Sequence, residues 1–121
     1  MGAEEYTDEW HVEDAVVSGA RSRGGALGSS VPTPTAGAVL RSVAAALGAS
    51  AVVQAGADSG VSGLYLLEGM RPDGVLTSIE ESAESDAAAR ESFRVSRAGS
   101  RVRSINGAPH DVLSRLTDHS Y

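Results

Sequence analysis

The hydrophobic and polar residues of the chain recur with two different periods, which predicts strands and helices in alternation. Short apolar stretches rich in β-branched residues predict three strands, at 51–55, 74–80 and 101–106. Stretches with helical spacing predict five helices, at 13–23, 34–47, 60–70, 85–98 and 111–116. Strands that alternate with helices pair in parallel through right-handed crossovers, so we expect a doubly wound α/β unit or half of one.

The second predicted helix has the clearest boundaries. Thr33 can cap its amino end, Pro34 suits the first helical position, and Gly48 suits the residue that ends the helix. Its expected apolar face comprises Leu40, Val43 and Leu47. The expected buried residues of two other helices are Ala15, Val16 and Ala20 in the first and Ala88, Phe93 and Val95 in the fourth. The glycines that follow position 23 predict a loop there.

Composition narrows the chemistry. The chain has 121 residues, enough for one domain, and its net charge of −6 argues against sequence-independent binding of nucleic acid. Without cysteine there is no disulfide and no thiolate metal site, and the three histidines lack metal-ligand spacing. All ten basic residues are arginines, so no lysine is present to form a Schiff base.

The amino-terminal residues 1–12 are polar and acidic, and we expect them to form a flexible arm before a single domain at 13–121. This acidic start is unlike a secretory signal. No apolar run approaches the roughly 18 residues that a membrane span needs. A cytoplasmic protein with no membrane partner is therefore expected.

The turn after the first predicted strand has the composition of a ligand-binding loop. In parallel sheets, ligands bind beyond the carboxyl ends of the strands. Gly56 lets the backbone approach a ligand, and Gly60 lets the next helix begin close to the strand. Free N–H groups at that helix start favour an anionic group. The hydroxyl of Ser62 could donate to the same group or bond to its own backbone.

Glu80 ends the second predicted strand, 20 residues after Gly60. A carboxylate in this place can accept hydrogen bonds from ribose hydroxyls, and together with the glycine turn it favours a nucleoside ligand. A dinucleotide fingerprint requires G-x-G-x-x-G, but Asp58 and Val61 occupy its second and third glycine positions. A P-loop is excluded because the chain has no lysine.

Four segments follow one another in a characteristic order: EDAVVSGARSR, TPTAGAVLRSVAAALGA, GVSGLYLLEGMRPDGVLTSIE and RVRSINGAPHDVLSRL. In this order they resemble the class I S-adenosylmethionine-dependent O-methyltransferases, in the bacterial branch related to catechol and caffeoyl-CoA O-methyltransferases. The resemblance implies a truncated Rossmann-like α/β fold, with a parallel three-stranded sheet, flanking helices and two N-terminal helices. It also implies S-adenosylmethionine as cofactor and a small-molecule hydroxyl as methyl acceptor.

The resemblance assigns a cofactor site to residues of this chain. Gly56, Ala57 and Gly60 match the cofactor loop of the family. Ser62 matches the hydroxyl that meets the methionine carboxylate, and Glu80 matches the acid that binds the ribose.

Other positions complete the implied site. Glu81 matches a residue beside the adenosine, and Gly107 and Ala108 match the adenine-side turn after the third strand. Pro32 matches the N-terminal loop that reaches the cofactor. Gln54 stands where the family usually has a glutamate that orients the loop.

Two residues depart from the family pattern at the predicted cofactor site, and a group of three acids raises the question of a metal site. Asp58 replaces a residue that is normally glycine or another small or neutral one. Its charge would repel the ligand's carboxylate but attract its sulfonium, so we expect cofactor binding to be weakened and not abolished. Pro109 removes a backbone donor at the adenine-side turn. Glu81, Glu84 and Asp86 could form a metal site, although acids that favour a helix start explain their spacing better. The ligands of the family's divalent cation are absent, and no catalytic residue is identified.

The family pattern continues after Tyr121 with a fourth strand that pairs beside the first and carries much of the acceptor pocket. Without it, we expect the first strand to form an exposed sheet edge that could pair with a second copy of the chain. Two hypotheses follow. The chain is the donor-binding half of an O-methyltransferase, or it is a non-catalytic remnant that acts as a cofactor-binding or interaction module.

Overall fold

The computed structural model describes residues 13–118. Within this range, helices and strands follow in the order α1 (Ala15–Ala26), α2 (Pro34–Leu47), β1 (Ala51–Ala55), α3 (Val61–Gly69), β2 (Val75–Glu80), α4 (Ala83–Val95), β3 (Val102–Asn106) and α5 (Pro109–Asp118). A 3₁₀ turn precedes α3 at Asp58–Gly60, and another precedes β3 at Gly99–Arg101. The arm predicted at 1–12 lies outside the described residues.

The strands form one parallel sheet in the order β1-β2-β3. Ala55 lies opposite Ile79, and Glu80 lies opposite Asn106, so the carboxyl ends of the strands meet at one end of the sheet. In the described part of the chain β1 is an edge strand, as predicted. The predicted fold class and the predicted order of helices and strands are confirmed.

The hydrophobic core lies on one face of the sheet. Val52, Leu76 and Val102 are neighbours in the register and face this core, to which α4 contributes Phe93. Helices α3 and α4 contact β2, and α1 and α2 pack outside them. Helix α5 lies on the other face, where Val112 is buried. None of the helices in the described range is long and apolar enough to cross a membrane.

Helix α1 is longer than predicted, because Gly24 belongs to the helix and not to a loop. Gly24 is buried, and a Cβ atom there would lie 2.7 Å from Val31 Cγ1. The glycine therefore allows the helix to pack closely, and this tertiary contact outweighs its low helix propensity. The predicted burial of Ala20 is confirmed, whereas Ala15 is exposed and Val17 is buried in its place.

The boundaries of α2 were predicted correctly, but of its predicted apolar face only Leu40 packs against the core. Thr33 Oγ1 accepts a hydrogen bond from the Ala36 amide at 3.1 Å, and Gly48 ends the helix with φ of 57°. Val43 and Leu47 point outward, with exposures of 51% and 76%. In α4 the prediction for Phe93 is confirmed, whereas Val95 is exposed and the other buried residues are Asp86, Ala89 and Ser92.

Small residues form the packed face of α2 because α2 and α3 approach each other very closely. A Cβ atom on Gly37 would lie 2.3 Å from the Tyr65 ring. A Cβ atom on Gly69 would lie 2.0 Å from the carbonyl oxygen of Arg41. Larger residues on these faces would push the two helices apart, so Val43 and Leu47, which the periodicity selected, lie outside this contact and are exposed.

This packing predicts a stability difference between two glycines. Gly69→Ala should lower the free energy of unfolding by about 1–3 kcal/mol, since its Cβ meets backbone that cannot move alone. Gly25→Ala is the matched control, because no atom lies within 4 Å of its added Cβ and alanine favours the helix. Urea unfolding monitored by circular dichroism measures both. Equal stability of the two variants would contradict this description of the α2–α3 contact.

Candidate functional site

The turn after β1 lies directly against the end of β2. The Gly56 amide donates to the Ile79 carbonyl at 2.8 Å, which extends the parallel pairing one residue past the strand. The next amide, that of Ala57, donates to Glu80 Oε1 at 3.0 Å. The two parts of the cofactor site predicted from the sequence, the glycine turn and the acid, are therefore neighbours.

The Glu80 carboxylate joins two loops. Its Oε1 atom accepts a hydrogen bond from the Ala57 amide, and its Oε2 atom accepts one from the Ser82 amide at 3.0 Å. Ser82 caps α4 through its own side chain, so the carboxylate connects the turn after β1 to the start of α4. Glu80 is half-buried. A carboxylate oxygen accepts more than one hydrogen bond, so both oxygens retain capacity for a ligand hydroxyl.

The end of β3 is tied to the same strand end. The Gly107 amide donates to the Glu80 carbonyl at 2.9 Å. The side-chain amide of Asn106 donates to the carbonyls of Glu80 and Glu81, at 2.8 and 3.1 Å. Ala108 follows in the same turn and is half-buried, whereas Glu81 is exposed. Asn106 was missed in the sequence analysis, although an amide that ends a strand beside an acidic turn is a recognisable signal.

The two glycines of the turn have different roles. Gly56 has a φ of 89°, and nothing lies within 4 Å of an added Cβ, so its backbone faces open space that a ligand can approach. Gly60 has a φ of 95°, and an added Cβ would lie 2.8 Å from Ser92 Cβ. Gly60 therefore brings the start of α3 close to α4, whereas the sequence predicted a close approach to the strand.

The helix start that was expected to be free is occupied by Asp58. The Asp58 carboxylate accepts from the Ser62 amide at 3.0 Å through Oδ1 and from the Ser62 hydroxyl through Oδ2. The Gly60 amide donates to the Ala57 carbonyl at 2.7 Å, and the Val61 amide donates to the Asp58 carbonyl. The prediction of free N–H groups is wrong for these three amides, because the turn supplies its own acceptors.

Asp58 has a left-handed backbone conformation, with a φ of 38°. Aspartate tolerates this conformation better than most residues other than glycine. Burial raises the pKa of the Asp58 carboxyl, although the hydrogen bonds from Ser62 act in the opposite direction. The charge of Glu80 adds to the increase, and that of Arg21 reduces it. Asp58 and Glu80 therefore form an acidic pair at the carboxyl end of the sheet.

Arg21 acts on Asp58 from a network that the sequence did not reveal. Its guanidinium donates to both oxygens of Glu13, at 2.8 and 2.7 Å, and to the Pro32 carbonyl at 2.6 Å. Glu13 also accepts from the Tyr65 hydroxyl at 2.5 Å. The Glu13 hydrogen bond raises the pKa of Arg21, so the arginine remains charged. The charge that lowers the pKa of Asp58 is therefore held in place by Glu13 and by the loop that contains Pro32.

Gln54, near the end of β1, has an unusual side-chain environment. It lies opposite Ser78 in the register, and its Oε1 atom is buried without a hydrogen-bond donor in the described part of the chain. A buried acceptor left unpaired costs about 1–3 kcal/mol. An unsatisfied acceptor near the turn that was predicted to bind a ligand is consistent with a donor supplied by a ligand.

The acids that follow β2 belong to the start of α4. Glu84 and Asp86 lie in its first turn, where negative charge favours the helix dipole. The Asp86 carboxylate also accepts from Arg90 at 2.6 Å. Across residues 13–118, no group of three or more histidine, cysteine or acidic residues is arranged to hold a metal ion.

Comparison with known proteins shows which proteins this chain resembles in sequence and fold. No model of a protein family matches the sequence. A Mycolicibacterium smegmatis protein assigned by name to the O-methyltransferases is 46% identical over 110 residues, which are 90% of this chain and 52% of the relative. The crystal structure of a Corynebacterium glutamicum protein superposes on this chain with a TM-score of 0.81, and the two sequences are 31% identical. The superposition covers 94% of this chain and 56% of the Corynebacterium glutamicum chain.

Over the part that it spans, the chain belongs to the O-methyltransferase family. The O-methyltransferase from Bacillus cereus, solved in complex with S-adenosylhomocysteine, has the same fold at 21% identity, with a TM-score of 0.89 over 98% of this chain and 55% of that one. The chain spans about half the length of the curated relatives that it matches. The resemblance to the family that the sequence segments indicated is confirmed.

Proposed function

We propose that the chain is the S-adenosylmethionine-binding half of an O-methyltransferase that methylates the hydroxyl of a small molecule. The names of the curated relatives favour this function over that of a non-catalytic remnant. The Bacillus cereus protein, which has the same fold, was solved in complex with S-adenosylhomocysteine, and this supports an adenosyl ligand for the chain. The absence of cysteine is consistent with action in the reducing cytoplasm.

The observation that carries this proposal is the position of the Glu80 carboxylate. It is fixed by the amides of Ala57 and Ser82 and lies beside the open backbone of Gly56. Each carboxylate oxygen can accept a further hydrogen bond, so Glu80 is suited to hold the two hydroxyls of a ribose. Gly107 and Ala108, beside the same strand end, would contact the adenine.

The charge of the site fits one part of the cofactor especially well. When bound, S-adenosylmethionine supplies a methyl group on a positively charged sulfonium. Asp58 and Glu80 place two carboxylates at the strand ends, and opposite charges attract strongly in a partly buried site. The acceptor pocket and the group that deprotonates the acceptor would then be supplied by the rest of the family's length.

Replacement of Glu80 tests the proposal. Glu80→Ala should weaken binding of S-adenosylhomocysteine by about 10- to 100-fold, because two hydrogen bonds to a charged acceptor are lost. Glu84→Ala is the matched control, since this glutamate is exposed in the first turn of α4. Isothermal titration calorimetry measures both affinities, and thermal unfolding shows whether each variant folds. If folded Glu80→Ala binds as tightly as Glu84→Ala, Glu80 is not a ribose ligand.

The edge strand supports a second, separate proposal about assembly. β1 pairs only with β2 in the described sheet, and its terminal residues Ala51 and Ala55 are exposed. An unpaired strand edge is a template for another strand, so we expect two copies of the chain to associate through β1. Light scattering coupled to size exclusion should give a mass above that of the monomer. Ala51→Lys should reduce that mass, and a monomer at all concentrations would refute the assembly.

A further inference from the structure

We propose that Asp58 determines cofactor specificity, and that its carboxylate takes the place of the carboxylate of S-adenosylmethionine. The site would then select an adenosyl sulfonium that carries an amine but no carboxylate. The inference rests on the proposed function, because it concerns the ligand of the same site, formed by the turn after β1 and Glu80. It goes beyond that function by naming a ligand class that differs from the ordinary cofactor.

The donors that a ligand carboxylate would use are already bonded within the chain. The Ser62 amide and hydroxyl both donate to the Asp58 carboxylate. The preceding amides, of Gly60 and Val61, donate to carbonyls of the turn. A ligand carboxylate could reach Ser62 only by displacing Asp58 from two hydrogen bonds at once.

The turn holds Asp58 in this position. Ser59 and Gly60, which follow it, are both buried and both have positive φ, at 60° and 95°. The Ser59 carbonyl accepts from the Ser92 hydroxyl at 2.6 Å, which fixes the turn against α4. The Asp58 carboxylate therefore reaches the start of α3 from a backbone that packing keeps in place.

The surrounding charges also disfavour a carboxylate on the ligand. Glu80 lies near enough to Asp58 to affect its ionisation, so a third carboxylate would enter a site with two already present. Arg21 is the cation that acts on Asp58, but it already binds both oxygens of Glu13 and the Pro32 carbonyl. In contrast, a ligand that replaces the carboxylate with hydrogen adds only positive charge to this acidic site.

Two ligands isolate the effect. S-adenosylmethionine and its decarboxylated form share the adenosine, the sulfonium and the amine, and they differ only in the carboxylate. We expect the unaltered chain to bind the decarboxylated ligand at least about tenfold more tightly than S-adenosylmethionine. Isothermal titration calorimetry measures both affinities. Asp58→Gly should reverse this preference, because glycine accepts the left-handed backbone and frees both donors of Ser62.

Two further variants make the result decisive. Asp58→Asn keeps the shape of the side chain and removes its charge, so it should reduce the preference without loss of folding. Asp73→Asn removes one charge from an exposed turn residue and should leave the preference unchanged. If the preference for the decarboxylated ligand is the same in the unaltered chain and in folded Asp58→Gly, the inference is overturned, but the proposed adenosyl-binding site is not. If no variant binds either ligand, the proposed function falls and the inference falls with it.

Discussion

The hydrogen bonds of the Glu80 carboxylate to the amides of Ala57 and Ser82 are the interaction on which the rest of the site depends. Parallel pairing of β1 with β2 brings the end of β2 beside the turn, and the carboxylate then ties that turn to the start of α4. A buried or half-buried carboxylate is stable only where donors compensate for lost water. These two amides meet that requirement and also fix where the negative charge lies.

Helix packing also holds the turn, in addition to the hydrogen bonds within it. Ser92 of α4 donates to the Ser59 carbonyl and accepts from Arg23 of α1 at 3.1 Å, so three elements meet at one hydroxyl. Gly60 and Gly24 remove the side chains that would keep these elements apart. Because close packing restricts this region, the side chain of Asp58 has a defined place at the start of α3.

Signals confined to a few neighbouring residues were sufficient to predict much of this structure. The cap at Thr33 and the left-handed Gly48 gave the limits of α2, and the strand-end position of Glu80 placed it beside the glycine turn. Buried faces were predicted less well. Periodicity selects the more apolar face, as with Leu47 in α2, but the α2–α3 contact requires small residues such as Gly37.

The largest error in the predicted site came from a side chain that bonds within the turn. The N–H groups at the start of α3 were expected to be free, but Asp58 bonds to Ser62 and is itself the acceptor of the helix start. The spacing of four residues between an acid and a serine is a signal for this bond. The Glu13–Arg21–Tyr65 network had no such signal, because Tyr65 lies 52 residues from Glu13 in the sequence.

The most direct measurement is an amide-resolved NMR titration of the chain with 5′-methylthioadenosine, which has the adenosyl group without any carboxylate. If the strand ends form an adenosyl cradle, the amide signals of Ala57, Ser82 and Gly107 should shift together and saturate at one affinity. Shifts confined to another part of the molecule, such as the exposed face of α2, or no shifts at all, would contradict this account of the site.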